Sequence, residues 1–121
     1  MVQQEYLMIS SNYELLHLPY DIIIYAESQG NYSNIFISGG FNYLISMQLG
    51  QLEEQIACQL KSTNDHFIRI GRGLIVNRAY IIHINTRLQQ ITLFDNTSKK
   101  YILQASQEAL KQLKQLITGG Q

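Results

Sequence analysis

Positive charge is missing from the first half of this chain. Residues 1–60 contain no Lys and no Arg, against six carboxylates: Glu5, Glu14, Asp21, Glu27, Glu53 and Glu54. All nine bases follow Leu60, namely Lys61, Arg69, Arg72, Arg78, Arg87, Lys99, Lys100, Lys111 and Lys114, with only Asp65, Asp95 and Glu108 against them. The formal net charge of +0 hides two halves of six negative and six positive charges. The average alone argues against a polyanionic partner, whereas the asymmetry hints at an anion-facing surface. The alternative is that folding scatters the bases over the whole surface.

Other absences narrow the class further. The single Cys58 cannot build a disulfide framework or a thiolate zinc site and fits a reducing compartment, so the expected location is the cytoplasm. The longest apolar run, Ile22 to Ala26, is five residues, far short of the roughly 20 that a membrane span needs. No basic segment precedes an apolar stretch at the N-terminus, so no export signal and no membrane insertion are expected. Charged residues make up 15% of the chain, which speaks against disorder driven by self-repulsion. At 121 residues the chain suits one domain, 1–121, burying roughly 65% of its unfolded surface. No Pro-, Gly- or Ser-rich linker divides it, and no repeat is visible.

What is present is mostly β patterning. Short runs rich in Ile, Val, Thr and Tyr predict strands over Tyr6 to Ile9, Glu14 to Leu18, Ile22 to Ala26, Tyr32 to Ser38 and Phe41 to Ser46. Gly39-Gly40 between the last two supplies positive φ for a two-residue hairpin turn. A second set covers Tyr80 to Ile84, Gln89 to Phe94 and Lys100 to Leu103, joined through Asn85-Thr86-Arg87 and Asp95-Asn96-Thr97-Ser98. About eight strands result. Leu49, Leu52, Ile56 and Leu60 recur at helical spacing and predict a helix over Gln48 to Leu60. Leu110, Leu113 and Ile117 predict a second over Ser106 to Ile117, with Ser106 as N-cap, Glu108 in the first turn and Gly119-Gly120 as the stop. The fold class is mainly β, antiparallel, with two short helices.

Enzyme chemistry finds little support. His17, His66 and His83 are far apart in sequence and fall in no metal-ligand spacing, so no metal site is expected. His83 alternates with Ile82 and Ile84 and reads as a solvent-face residue. Cys58 lies opposite the apolar stripe or at its edge, lacks a base, and reads as a small, partly buried thiol. Glu53 and Glu54 point about 100° apart on a helix, so they form no carboxylate dyad and read as a solvated face. Gly71-Arg72-Gly73 lacks the Lys-Ser/Thr of a nucleotide loop, and no cofactor is expected.

The most informative stretch is Phe67-Ile68-Arg69-Ile70-Gly71-Arg72-Gly73-Leu74-Ile75-Val76-Asn77-Arg78. It places three arginines within ten residues, and Arg72 sits between glycines that let the backbone approach a surface closely. An Arg held out in this way suits bidentate contact with a guanine edge or a phosphate. A surface turn whose arginines merely solvate the domain would look the same.

The same stretch resembles the signature of the LytTR DNA-binding domain, which reads Phe-x-Arg-x-His-Arg-Ser-x-x-Val-Asn. Upstream, Ile23-Ile24-Tyr25-Ala26-Glu27-Ser28-Gln29-Gly30-Asn31-Tyr32 is similar to that family's Ile-x-Tyr-x-Glu-Ala-x-Gly-Asn-Tyr segment. Tyr43-Leu44-Ile45 leading into Leu49-x-x-Leu52-Glu53 matches its strand-to-helix step, and the likeness runs over about residues 5 to 117. The resemblance implies an elongated, antiparallel β fold that binds double-stranded DNA through inter-strand loops, usually at promoter direct repeats. It implies Asn31 and Tyr32 in a first reading loop, Arg69, Arg72 and Gly73 in a second, and Gln104 and Ala105 in a third near Leu103 to Ser106. Arg78 closes the basic stretch and joins the DNA-binding set. Within it Arg72 stands at the apex and Arg69 is a phosphate contact.

This chain departs from the pattern at three places. Gly71 replaces the usual His, Gly73 the usual Ser, and the third loop lacks its basic group, although Gln104 suits an adenine edge. Weaker affinity, a different target and lost DNA binding all remain open. Asn77 matches a family position but, at the end of an apolar run, reads as a local backbone cap. Residues 1–20 are too few to hold a receiver domain, so the resemblance implies a stand-alone bacterial transcriptional regulator, a response-regulator output domain without its receiver. Its expected partners are DNA, a second copy on DNA and a protein antagonist or sensor. The alternative is a β-rich protein-interaction module of the same fold that has lost DNA binding.

Overall fold

The computed structural model describes residues 4–119. The chain runs β1 (Tyr6–Ser10), β2 (Leu15–Pro19), β3 (Ile23–Gln29), β4 (Tyr32–Ile37), β5 (Phe41–Ile45), α1 (Leu49–Gln59), β6 (Phe67–Ile70), β7 (Leu74–Asn77), β8 (Ile81–Asn85), β9 (Gln90–Phe94), β10 (Lys100–Gln104) and α2 (Gln107–Thr118). All pairings are antiparallel. They form a β1-β2 hairpin, a central sheet ordered β5-β4-β3-β7-β6 and a β10-β9-β8 meander.

The central sheet is buried on both faces, which explains why its middle strands read as continuous apolar runs instead of alternating. On one face Ile23, Ala26, Ile35, Ile37, Ile45 and Ile75 pack against Leu49, Leu52 and Ile56 of α1, Leu60 just past its end, and the first hairpin. On the other, Ile24, Tyr25, Ile70, Leu74 and Val76 pack against Ile91 and Leu93 of the meander and Leu110 and Leu113 of α2. A register shift between Ile23 and Tyr25 breaks the two-residue alternation, so adjacent Ile24 and Tyr25 share a face. Tyr25 stacks on its cross-strand partner Phe36 with centroids 4.4 Å apart, and Tyr101 of β10 meets both rings edge-on. Burial, with Glu27 and Tyr101 nearby, pushes the Tyr25 hydroxyl well above the usual phenol range, so it stays protonated.

The mainly β architecture and both helices match the sequence reading, with three corrections. The described residues form ten strands and not about eight, because Phe67–Ile70 and Leu74–Asn77, absent from the expected strands, pair as the β6-β7 hairpin. The β4-β5 turn holds three residues, Ser38, Gly39 and Gly40, since Ile37 pairs with Phe41; both glycines still carry positive φ. Cys58 is exposed and not partly buried, because it lies about 200° around α1 from Ile56, away from the stripe. His83 is exposed as expected. Ser106 caps α2 by accepting the Ala109 N–H at 3.1 Å, and Gly119 ends it in a left-handed conformation. The companion Gly120 of the expected stop lies outside the described residues.

Candidate nucleic-acid interface

Antiparallel pairing brings several connections to one end of the central sheet. Gln29 pairs with Tyr32, so Gly30 and Asn31 form a two-residue turn, with Gly30 at φ +64. Ile70 pairs with Leu74, leaving Gly71-Arg72-Gly73 as the β6-β7 turn. Gly71 sits at φ +60, where an L side chain is strained, and a Cβ at Gly71 or Gly73 would meet open space. Because β3 and β7 are neighbours, the two turns lie side by side, tied by Ser28 N–H donating to Gly73 O at 2.9 Å.

The β5-α1 connection reaches the same end, since Ile45 pairs with Ser33 beside Tyr32. There Gln48 precedes α1, its N–H donating to Gln51 Oε1 and its Nε2 donating to Asn31 Oδ1 at 3.1 Å. That bond fixes the Asn31 side chain while its own NH₂ group meets no partner among the described residues. The third loop arrives from the meander. Gln104 pairs with Gln90, Ala105 N–H donates to Gln89 O, and Gln104, Ala105 and Ser106 face Gly71, Arg72 and Gly73 across a cleft of about 280 Å³. Asn31, Tyr32, Arg72, Gly73 and Gln104 are all exposed.

The arginines differ in how they are held. The Arg72 side chain makes no hydrogen bond or ion pair among the described residues. Arg69 is engaged on every nitrogen: Nε donates to Gly71 O at 3.1 Å, one terminal nitrogen to Arg72 O at 3.0 Å, and the other to Glu53 Oε1 at 2.8 Å. Glu53 lies on an exposed helix face, as expected, and there also serves as an ion-pair partner. Arg78 is not brought to this end. It follows Asn77 at the opposite terminus of β7, about 13 Å of strand from Gly73.

Asn77 acts as the local cap that its position suggested. It is 1% exposed, its Nδ2 donates to Ile23 O at 2.9 Å, and its Oδ1 accepts the Ala79 N–H at 3.0 Å. No local pattern marks Gln48 or Glu53 as part of this site, since their partners lie 17 and 16 residues away. Among the described residues no group of three His, Cys, Asp or Glu side chains could hold a metal ion. No described helix is long and apolar enough to cross a membrane.

The model of the LytTr DNA-binding domain matches residues 13–118. The chain belongs to the LytTr family. A similar solved structure is the LytTr DNA-binding domain of a protein described as a methyl-accepting/DNA response regulator from Bacillus cereus. It superposes with a TM-score of 0.64 at 16% identity, covering 95% of this chain and 98% of that one. At that identity the likeness speaks for the LytTr fold alone. No curated protein matches the chain.

Proposed function

We propose that this LytTr domain is a transcriptional regulator that reads double-stranded DNA with the loops gathered at one end of its central sheet. The observation that carries the reading is the shared cleft: Arg72, on a turn with open space before both flanking glycines, faces Gln104 across it, with Asn31 and Tyr32 beside them. Arg72 has a free guanidinium for a guanine edge or a phosphate. Gln104 offers the donor and acceptor that an adenine edge accepts and donates to, which meets the need left by the missing base in that loop. Asn31 keeps its NH₂ for a base acceptor, and Tyr32 is the aromatic neighbour. Two copies on a direct repeat would each present one such end.

Fluorescence anisotropy against a promoter-derived direct repeat tests this. Arg72→Ala is expected to cost about 1–3 kcal/mol and to relax preference at one position, as for loss of a base contact. Unchanged affinity in that variant, or no salt-sensitive binding by the wild type, would refute the base-reading role. A protein-interaction module is the second reading, favoured by the edge strand β5, where Phe41, Tyr43 and Leu44 are 63%, 41% and 50% exposed. That reading expects no salt-sensitive DNA binding and a change in self-association, by sedimentation, in Leu44→Lys.

A further inference from the structure

A turn of sequence Gly-Arg-Gly has more backbone freedom than most, because each glycine adds accessible conformations. Nothing packs on the space before Gly71 or Gly73, so side-chain packing does not fix the turn. Three devices remain: the β6-β7 ladder up to the Ile70 and Leu74 pair, the Ser28 to Gly73 bond, and Arg69. Arg69 forks across consecutive carbonyls, Gly71 O and Arg72 O, while Glu53 on α1 holds the remaining terminal nitrogen. Those carbonyls belong to the residue before Arg72 and to Arg72 itself. The planar guanidinium has the geometry for such a fork, and an ammonium does not.

We propose that Glu53 and Arg69 form a latch that holds the Gly71–Gly73 turn in the shape presenting Arg72, so that Arg69 is a positioning residue and not a phosphate contact. The inference rests on the DNA-reading role for its effect on binding, while the latch itself is a property of the free protein. The two roles for Arg69 predict opposite signs. As a phosphate contact, Arg69 would be held back by Glu53, and removing that acid would strengthen DNA binding. As a latch, Arg69 loses its anchor when Glu53 is neutralised, and DNA binding weakens even though a negative charge has gone.

The experiment measures DNA affinity and its salt dependence for the full chain carrying Glu53→Gln, Arg69→Lys and Arg69→Gln, together with ¹⁵N order parameters of the free proteins. Glu53→Gln is expected to weaken binding about two- to fivefold, the range of a partly exposed ion pair. Arg69→Lys keeps the charge and is expected to bind as poorly as Arg69→Gln, with the log-log salt slope unchanged in both. Amides of Gly71, Arg72 and Gly73 are expected to fall from rigid values near about 0.85 toward about 0.6 in all three variants. Tighter binding by Glu53→Gln, rescue by Arg69→Lys, or a slope reduced by about 0.9 in Arg69→Gln would overturn the latch. Should the wild type bind no DNA, the DNA-reading role fails. The order parameters then decide the latch alone, a fall supporting it and unchanged values overturning it.

Discussion

Asp95 is the buried carboxylate whose replacement should cost this fold most. It is 2% exposed and accepts five hydrogen bonds. Oδ1 takes the N–H and hydroxyl of Thr97 and the N–H groups of Ser98 and Lys99 at 2.8 to 3.1 Å, and Oδ2 takes the Gly39 N–H at 3.2 Å. One side chain therefore organises the β9-β10 turn and ties it to the β4-β5 turn. In Asp95→Asn the amide oxygen can keep the Oδ1 position, and the new NH₂ group then faces the Gly39 N–H. One charge-assisted bond, worth about 1.5–3 kcal/mol, is lost, and the remaining four weaken against a neutral acceptor. A loss of about 2–4 kcal/mol follows, or roughly 8–16 °C in Tm for a chain of this size. Burial pushes the Asp95 carboxyl up, but bonds from Lys99, Thr97 and Gly39 outweigh it and hold the group far below the ordinary 3.8. A depressed folded-state pKa gives stability that is present at neutral pH and drains as pH falls through about 4, where the unfolded chain takes up the proton first. Urea unfolding of wild type and Asp95→Asn at pH 7, 4 and 3 checks both points: the gap should be widest at pH 7 and narrow on acidification. A gap under about 1 kcal/mol at pH 7, or one that stays constant to pH 3, would refute the reasoning.

Asn77→Ala leaves the Ile23 carbonyl and the Ala79 N–H without their buried partner and should destabilise by about 2–4 kcal/mol, read by chemical denaturation. Gly71→Ala places a Cβ at φ +60 and should cost about 1–2 kcal/mol in stability while also weakening DNA binding, since the turn must shift. Gly73→Ser, at a position without positive φ and with open space for a Cβ, should leave the melting temperature within about 2 °C of wild type.

How much of this was legible in the sequence depends on how local each signal is. Leu49, Leu52, Ile56 and Leu60 marked α1 because a helix repeats every 3.6 residues, and the buried face is that stripe. Gly39 and Gly40 marked the β4-β5 turn because positive φ favours glycine. The β6-β7 hairpin has no local signature, because Leu74 to Asn77 is buried throughout and so shows no alternation, while the neighbouring arginines are residues typical of exposed turns. Arg69, Arg72 and Arg78 looked like one basic cluster along the chain. Folding separates them, since a strand of four residues carries Arg78 to the other end and a long-range ion pair engages Arg69. The convergence of three loops was legible only through family likeness. It depends on β3 lying beside β7, a pairing of strands nearly 50 residues apart that no local pattern encodes.

Folding also sorts the charge asymmetry that the sequence displayed. Of the nine bases beyond Leu60, Lys61 follows the end of α1 that leads into β6, remote from the β3-β4 and β6-β7 turns. Arg78, Lys99 and Lys100 sit with the opposite turns of β7 and of β9-β10. Arg69 is neutralised by Glu53. That leaves Arg72 in the cleft, Arg87 in the β8-β9 turn that adjoins Ala105, and Lys111 and Lys114, which flank a cleft with Thr86 of the same turn. Each neutralised phosphate contributes about 0.9 to the log-log salt slope, so contacts from at most these four residues cap it near about 3.6 per copy. Under the proposed loop-reading role, this apparently neutral domain is expected to bind DNA with a shallow salt dependence and with specificity resting on uncharged contacts from Asn31, Tyr32 and Gln104. Anisotropy titrations from 50 to 200 mM salt should give a slope between about −2 and −3.6 per copy, reduced by about 1.8 when Lys111 and Lys114 are both changed to Gln. A slope steeper than about −6 would mean that Lys61, Arg78, Lys99 or Lys100 also meets phosphate, and the single reading end would have to be abandoned.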